Sequence, residues 1–106
     1  MVDGYSLVGL QNKTNNMSDK LKVMYFSAPW CGPCRVYKPV FIEVTDKYKD
    51  EIDVQMVDAD AEPQLLADHA VRSIPTTIMF KDGKEVFRQV SIIAKKDLEE
   101  VINKNK

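Results

Sequence analysis

The order of hydrophobic patterns along this chain predicts an α/β fold with one central sheet. From residue 21 onward the patterns read strand, helix, strand, helix, hairpin, helix. A strand, a helix and a second strand in succession favour parallel pairing through a right-handed crossover, and the hairpin adds antiparallel strands. We therefore expect residues 1–106 to form a single domain, in which a mixed sheet carries helices on both faces.

The first half of the chain contains two predicted strands and two predicted helices. Residues 5–10 are interpreted as a short edge strand, and residues 15–21 as a short helix. The continuous apolar run in residues 21–28 is typical of a central strand that is covered on both faces. Apolar residues then recur at helical spacing: Val36, Tyr37, Val40, Phe41, Val44 and Tyr48. Pro39 lies inside this pattern and should kink the helix without ending it.

The third strand and the next helix follow directly. Residues 52–57 alternate between apolar and polar side chains, which predicts a strand with one apolar face. The apolar positions of this strand are Ile52, Val54 and Met56. Residues 63–71 are predicted to form a short helix, because Pro63 is favoured in a first helical turn. His69 is interpreted as a surface or half-buried residue of this helix.

A hairpin and a helix complete the chain. Residues 76–80 and 85–90 are predicted strands, and the turn Lys81-Asp82-Gly83-Lys84 between them carries a strong hairpin signal. Residues 95–103 are predicted to form a helix, whose buried face would contain Leu98, Val101 and Ile102.

The only two cysteines, Cys31 and Cys34, lie at the start of the long helical pattern. The first N–H groups of a helix have no intrahelical partner and the helix dipole is positive there, so a thiolate is favoured over a thiol. This arrangement predicts Cys31, the outer cysteine, as the attacking thiolate and Cys34 as the resolving thiol. Gly32 permits close approach of the backbone, and Pro33 stiffens a turn in which its missing N–H is no loss.

Two structural interpretations of the cysteine pair compete with redox chemistry. A stabilising disulfide would close a loop of only two residues, and loop closure contributes little for so short a loop. A zinc site requires about four ligands, and besides the two cysteines the chain has one histidine, His69, so a carboxylate would have to complete the site. Redox chemistry is therefore favoured, and we expect no metal.

The composition argues against several classes of partner. The net charge is −1 with acidic and basic residues interleaved, so nothing indicates binding to nucleic acid or to a membrane surface. No apolar run approaches the roughly 20 residues of a membrane-spanning helix, and the N-terminus lacks the pattern of a secretory signal. A cysteine pair in such a chain predicts catalytic thiols in the cytoplasm. A monomer is the default expectation.

Several sequence features resemble the thioredoxin family in their order and spacing. They are Trp30-Cys31-Gly32-Pro33-Cys34, Pro39, Asp60, Ile74-Pro75-Thr76 and Phe80-Lys81-Asp82-Gly83. The resemblance covers residues 21–106, whereas residues 1–20 match by length alone. It implies the thioredoxin fold, a mixed and mostly five-stranded sheet flanked by four helices.

The resemblance also implies an activity and its partners. Cys31 would attack a disulfide in a client protein, and Cys34 would resolve the mixed disulfide by dithiol–disulfide exchange. The domain itself would need no cofactor. A thioredoxin reductase containing flavin and using NADPH would restore the dithiol, or ferredoxin-linked reduction would do so.

A docking surface around the sulfurs is implied as well. Pro75 would follow a cis peptide bond beside Cys31 and leave the backbone of Ile74 open to pair with an extended substrate. The implied substrate-binding residues are Trp30, Gly32, Pro33, Ile74, Pro75, Thr76, Val90 and Ser91. Ser91 stands where the family usually has glycine, and Ser27 stands where many members have tryptophan, so the range of clients should differ.

Tyr25 and Met56 occupy positions where the family commonly has aspartate and lysine. That aspartate is thought to help deprotonate the resolving cysteine, and tyrosine, with a reference pKa near 10, is a poor substitute at neutral pH. Removing a buried carboxylate also removes repulsion of the thiolate. We therefore treat Tyr25 and Pro33 as redox-tuning residues and expect a lower Cys31 pKa and a more oxidising couple. Cys34 would lose its proton to water or to the departing client thiolate.

Two other functions are compatible with the same residues. A more oxidising or isomerase-like exchange is favoured by the missing carboxylate, but the Gly-Pro spacer and the lack of an export signal oppose it. A binding subunit with the thioredoxin fold would use the docking surface whatever its redox state.

Overall fold

The computed structural model describes residues 20–106, which form four strands and three helices. In chain order these are β1 (Leu21–Ser27), α1 (Gly32–Lys47), β2 (Ile52–Asp58), α2 (Pro63–Asp68), β3 (Thr76–Lys81), β4 (Lys84–Val90) and α3 (Lys95–Asn105). The sheet order is β2-β1-β3-β4, in which β1 and β2 are parallel and the other two pairs are antiparallel. The predicted mixed α/β sheet is confirmed. The strand and helix predicted before residue 20 lie outside the described residues, and Leu21 begins β1.

Strand β1 is buried on both faces, as its continuous apolar run predicted. Successive strand side chains point to opposite faces of a sheet. Leu21, Val23 and Tyr25 pack into one cluster with residues of α1 and α3, whereas Met24 and Phe26 pack into a second cluster, against which α2 also packs. Burial of each such side chain contributes about 1.5–3 kcal/mol. The strand that leads to the cysteines is therefore held on both sides.

Helix α1 continues through Pro39, as expected. Its buried residues are Cys34, Tyr37, Phe41, Val44 and Thr45. Val36 was predicted to belong to the same face but is 67% exposed, because the buried stripe is narrower than the apolar pattern. The helix thus fixes Cys34 on its inner face and presents Val36 to solvent.

Strand β2 departs from the predicted alternation. Val54 and Met56, which were predicted to share an apolar face with Ile52, are each 41% exposed, while Val57 is buried. Ile52 packs in the cluster with α1 and α3, but that cluster does not extend to Val54 and Met56, and within residues 20–106 β2 pairs only with β1. Apolar alternation along the strand did not reveal how much cover each face would have.

Helix α2 is shorter than predicted. It ends at Asp68 because Ala70 has φ 55°, a left-handed conformation that cannot continue a right-handed helix. His69 is half-buried, as expected, and its Nδ1 lies 2.8 Å from the carbonyl oxygen of Leu65.

The hairpin and the last helix agree with the sequence. Asp82 and Gly83 both have positive φ, at 54° and 80°, which is the geometry of a tight two-residue hairpin turn. Helix α3 buries Leu98 and Ile102 against the α1 side of the sheet, and Phe87 of β4 packs on the same cluster. None of the described helices is long and apolar enough to cross a membrane.

Candidate active site

Cys31 and Cys34 form a disulfide at the N-terminus of α1, with their Cα atoms 5.2 Å apart. Cys31 is the N-cap of the helix, and its Sγ accepts a hydrogen bond from the backbone N–H of Cys34 at 3.2 Å. Sulfur thus takes the place of the side-chain oxygen that usually caps a helix. The first turn contains no acidic residue. A thiolate at Cys31 would therefore meet an N–H donor and the positive end of the helix dipole.

The two cysteine residues are buried almost equally in the oxidised pair. Cys31 is 4% exposed and Cys34 is 3% exposed, because both pack in a small cluster with Ala28, Ala59 and Ile74. The expectation of an outer and an inner cysteine is therefore not visible as a difference in exposure. The difference is one of surroundings, since Cys31 caps the helix and Cys34 borders a cavity beneath it.

Trp30 stands next to the cysteines as an exposed aromatic ring. It is 66% exposed, and its indole Nε1 donates to both carboxylate oxygens of Asp60, at 3.1 and 3.0 Å. Asp60 follows β2, so this bond ties the loop before α1 to the loop after β2. Asp60 was part of the resemblance, but its bond with Trp30 was not predicted. The available sign of its importance was its position among the residues that carry the resemblance.

The segment before β3 contacts the cysteine pair. Ile74 packs against the cysteine pair, and the Ile74–Pro75 peptide bond is cis. The backbone N–H and C=O of Ile74 make no backbone hydrogen bond with another residue in 20–106. The side chains of Pro75 and Thr76 are buried, and the Thr76 hydroxyl donates to the carbonyl oxygen of Ser73 at 2.6 Å. Of these three, only Ile74 has a backbone N–H and C=O without a backbone hydrogen bond within residues 20–106.

Val90 and Ser91 extend this surface from the end of β4. Val90 is exposed and lies opposite Thr76 in the strand register. The N–H of Ser91 donates to the carbonyl oxygen of Pro75 at 2.7 Å, and Ser91 has φ 86°. A left-handed conformation of this kind is easy for glycine and strained for other residues. Ser91 thus holds a conformation that glycine would adopt without strain, and its side chain is exposed.

Contacts connect several of the predicted docking residues to the disulfide. A chain of contacts runs from the cysteines through Ile74 and Pro75 to Ser91, and Gly32, Pro33 and Trp30 are exposed next to the cysteines in sequence. Within the described part of the chain, no three His, Cys, Asp or Glu residues are placed to hold a metal ion.

Tyr25 lies beneath α1 and contacts the backbone of the resolving cysteine. Its hydroxyl donates to the carbonyl oxygen of Cys34 at 3.2 Å, and its ring stacks on Phe41 with centroids 4.7 Å apart. Burial raises the pKa of Tyr25 above its usual value, and a hydrogen bond with Ser27 opposes this effect. Tyr25 is thus neutral at physiological pH and donates a proton in a hydrogen bond, whereas a carboxylate there would accept one.

A cavity of about 270 Å³ lies beside Tyr25 and reaches Cys34. The polar and charged residues that line it are Tyr25, Ser27, Arg35, Lys38 and Asp58. Lys38 and Asp58 were not predicted as neighbours of Cys34. The spacing of four residues from Cys34 to Lys38 was an available signal, because it places both on one side of a helix.

A disulfide-forming cysteine pair that caps a helix of an α/β domain defines a thiol–disulfide oxidoreductase. The family model for thioredoxin matches residues 9–104 of this chain. The chain is 40% identical over 80 residues to thioredoxin 1 of Synechococcus elongatus, an alignment that covers 76% of this chain and 75% of that protein. It is 38% identical over 94 residues to thioredoxin of Staphylococcus haemolyticus, covering 89% and 90%.

A solved structure is similar over most of its length. The X-ray structure of Fasciola hepatica thioredoxin matches with a TM-score of 0.74 and 36% sequence identity, and the match covers 84% of each chain. The chain therefore belongs to the thioredoxin family. The predicted family, fold and protein-disulfide reductase activity are thereby confirmed. Members of the family generally act on protein disulfides and are recharged by a reductase.

Proposed function

We propose that Cys31 is the attacking thiolate and Cys34 the resolving thiol in the reduction of client-protein disulfides. The observation that carries this assignment is the hydrogen bond from the Cys34 N–H to the Sγ of Cys31 at the helix N-terminus. The same N–H and the helix dipole lower the free energy of a Cys31 thiolate, and no equivalent backbone donor reaches Cys34 Sγ from residues 20–106.

The reaction then proceeds in two exchanges. The Cys31 thiolate attacks one sulfur of the client disulfide, forms a mixed disulfide and releases the other client sulfur as a thiolate. Cys34 next attacks the Sγ of Cys31, so that the Cys31–Cys34 bond forms and the bond to the client breaks. The client gains two electrons and two protons, and the protein is left with the disulfide seen in the structure.

The client binds the surface around the disulfide. Ile74 offers a free N–H and C=O, which suit strand-like pairing with an extended segment. Trp30 and Val90 supply exposed apolar contacts on either side. The remaining predicted docking residues are Gly32, Pro33, Pro75, Thr76 and Ser91. Pro75 and Thr76 act through the backbone they position, because their side chains are covered.

Tyr25 tunes the potential of the couple. A neutral hydroxyl beneath Cys34 does not repel a nearby thiolate, which supports a lower Cys31 pKa and a reduction potential less negative than about −270 mV, the reference value for a thioredoxin. Pro33 contributes by stiffening the turn between the sulfurs. This shift favours a second candidate activity, disulfide formation or isomerisation, which the measured potential against glutathione would decide.

A thioredoxin reductase that uses flavin and NADPH restores the dithiol in the cytoplasm, and the domain works as a monomer without a cofactor of its own. The small net charge and the surrounding apolar docking residues support a protein client over nucleic acid or a membrane.

The test is reduction of insulin by the protein with NADPH and a thioredoxin reductase. We expect turnover by the unsubstituted protein and none by Cys31→Ser, while Cys34→Ser should accumulate a mixed disulfide with the client. Trapping by Cys31→Ser instead of Cys34→Ser would reverse the assignment of roles. An undiminished biological effect of both variants would favour a binding subunit over a reductase.

A further inference from the structure

The cavity beside Cys34 carries charged groups that the two-cysteine mechanism does not use. Lys38 lies one helical turn after Cys34, on the same side of α1, and both border the cavity. Arg35 also lines it. Asp58 comes from the other side, at the end of β2, where it lies beside Ser27 in the parallel register.

These charged groups differ in the hydrogen bonds and salt bridges that they form. The Nε of Arg35 donates to the carbonyl oxygen of Pro29 at 3.3 Å, and a carboxylate oxygen of Asp58 accepts the N–H of Asp60 at 2.9 Å. Lys38 forms no salt bridge with any residue in 20–106. Its ammonium group is therefore the one least committed to another partner among the charges bordering Cys34.

The sum of these charges favours an anion at Cys34. The titratable groups that line the cavity around Cys34 are Tyr25, Arg35, Lys38 and Asp58. Two of them are cations and one is an anion at neutral pH, while Tyr25 is uncharged. The lining of the cavity beneath the resolving cysteine therefore has a net charge of +1, and an aspartate in place of Tyr25 would reduce it to zero.

We propose that Lys38 is a positioning residue for the resolving step, in which its ammonium group stabilises the thiolate of Cys34 across the cavity. This inference rests on the function proposed above and names the group that assists its second exchange. The Cys34 thiol releases its proton to water, and the thiolate then attacks the Sγ of Cys31. The Cys34–Cys31 bond forms, the bond from Cys31 to the client breaks, and the client sulfur leaves with the electron pair and takes a proton from water.

A cation suits this role better than a base. The reference pKa values of a carboxyl group and a thiol differ by about 4.6 units, so a carboxylate is a weak acceptor for a thiol proton. A fixed positive charge lowers the thiol pKa without accepting the proton at all. Lys38 therefore replaces general-base catalysis with electrostatic stabilisation.

The test measures the pKa of Cys34 directly. In a Cys31→Ser background, Cys34 is the only thiol, and its pKa follows from the pH dependence of alkylation by iodoacetamide. Lys38→Met should raise this pKa by about 0.5–1 unit, as a single charge near a partly solvated site does. Lys38→Glu should raise it further. Asp58→Asn should lower it, because the nearby anion is then absent.

The matched control is Lys49→Met, which removes an exposed lysine beyond the opposite end of α1. Its position is 15 residues from Cys34, roughly 22 Å along a helix and more than two Debye lengths at physiological salt. This variant should leave the Cys34 pKa unchanged. Equal Cys34 pKa values in the Lys38→Met and Lys49→Met variants would overturn the proposal, as would an unaltered value in Lys38→Glu.

A second readout follows the resolving step itself. The pH profile for release of thionitrobenzoate from its mixed disulfide with Cys31 should move to higher pH in Lys38→Met by the same amount as the Cys34 pKa. Neither readout requires a client protein or a reductase. Failure of insulin reduction by the unsubstituted protein would thus count against the proposed function, whereas an unmoved pKa and release profile would count against Lys38 alone.

Discussion

Removal of one oxygen atom from the core tests the contact between Tyr25 and the resolving cysteine. Tyr25→Phe deletes the hydrogen bond to the Cys34 carbonyl oxygen and leaves the ring in place against Phe41. A buried neutral hydrogen bond contributes about 0.5–1.5 kcal/mol net to folding. The substitution removes only the donor. Cys34 lies in the first turn of α1, so its carbonyl oxygen can still accept a hydrogen bond within the helix. We therefore expect a loss of about 1 kcal/mol.

The assay is urea unfolding of the oxidised protein, with the slope of the transition checked for constancy. A loss of about 1 kcal/mol corresponds to a fall in Tm of about 4–8 °C for a domain of this size. Tyr48→Phe is the matched control, because it deletes an exposed bond, in which the Tyr48 hydroxyl accepts from Nδ2 of Asn103 at 3.0 Å. It should change stability by less than about 0.5 kcal/mol. A Tyr25→Phe protein as stable as the control would refute the reasoning.

Three further substitutions test other contacts. Ser91→Gly should raise the free energy of unfolding by about 0.5–1 kcal/mol, because glycine accepts the positive φ without strain; a lower Tm would contradict this. Burial raises the pKa of Tyr37 to about 12. The stability that the neutral phenol contributes to the folded state is therefore fully present below pH 10 and is lost as the pH rises through 12. Tyr37→Phe should therefore lessen the alkaline loss of stability between these values, and an equal loss would be evidence against it. Asp60→Ala should lower the fluorescence anisotropy of Trp30, the only tryptophan, because the indole loses its hydrogen bond. The free energy of unfolding should change by less than about 1 kcal/mol. An unchanged anisotropy would show that the bond does not restrain the ring.

The features that the sequence predicted well are those whose cause is local. The apolar run of β1 needs cover on both faces wherever it lies, and Asp82-Gly83 adopts positive φ because of its own residue types. The cysteine pair at the start of a helical pattern likewise carries its chemistry in adjacent residues. Such predictions do not depend on which elements become neighbours.

The features that the sequence did not predict depend on neighbours. Val36 and Met56 are as apolar as residues in the core, yet they are exposed, because the neighbouring elements within residues 20–106 leave them uncovered. The end of α2 at Asp68 follows from the left-handed turn at Ala70, a residue that ordinarily favours helix. The grouping of charged side chains around Cys34 was not predicted either, because Asp58 is 24 residues away along the chain.

The sulfur cap of α1 constrains how this protein could be made more stable. An aspartate or glutamate in the first turn is an ordinary way to strengthen a helix, and α1 has none. Here such an anion would compete with Cys31 for the same positive field and raise the thiol pKa. Substitutions meant to raise stability should therefore be placed at the C-terminal end of α1, because an added anion near the Sγ of Cys31 would lower the reactivity of that sulfur.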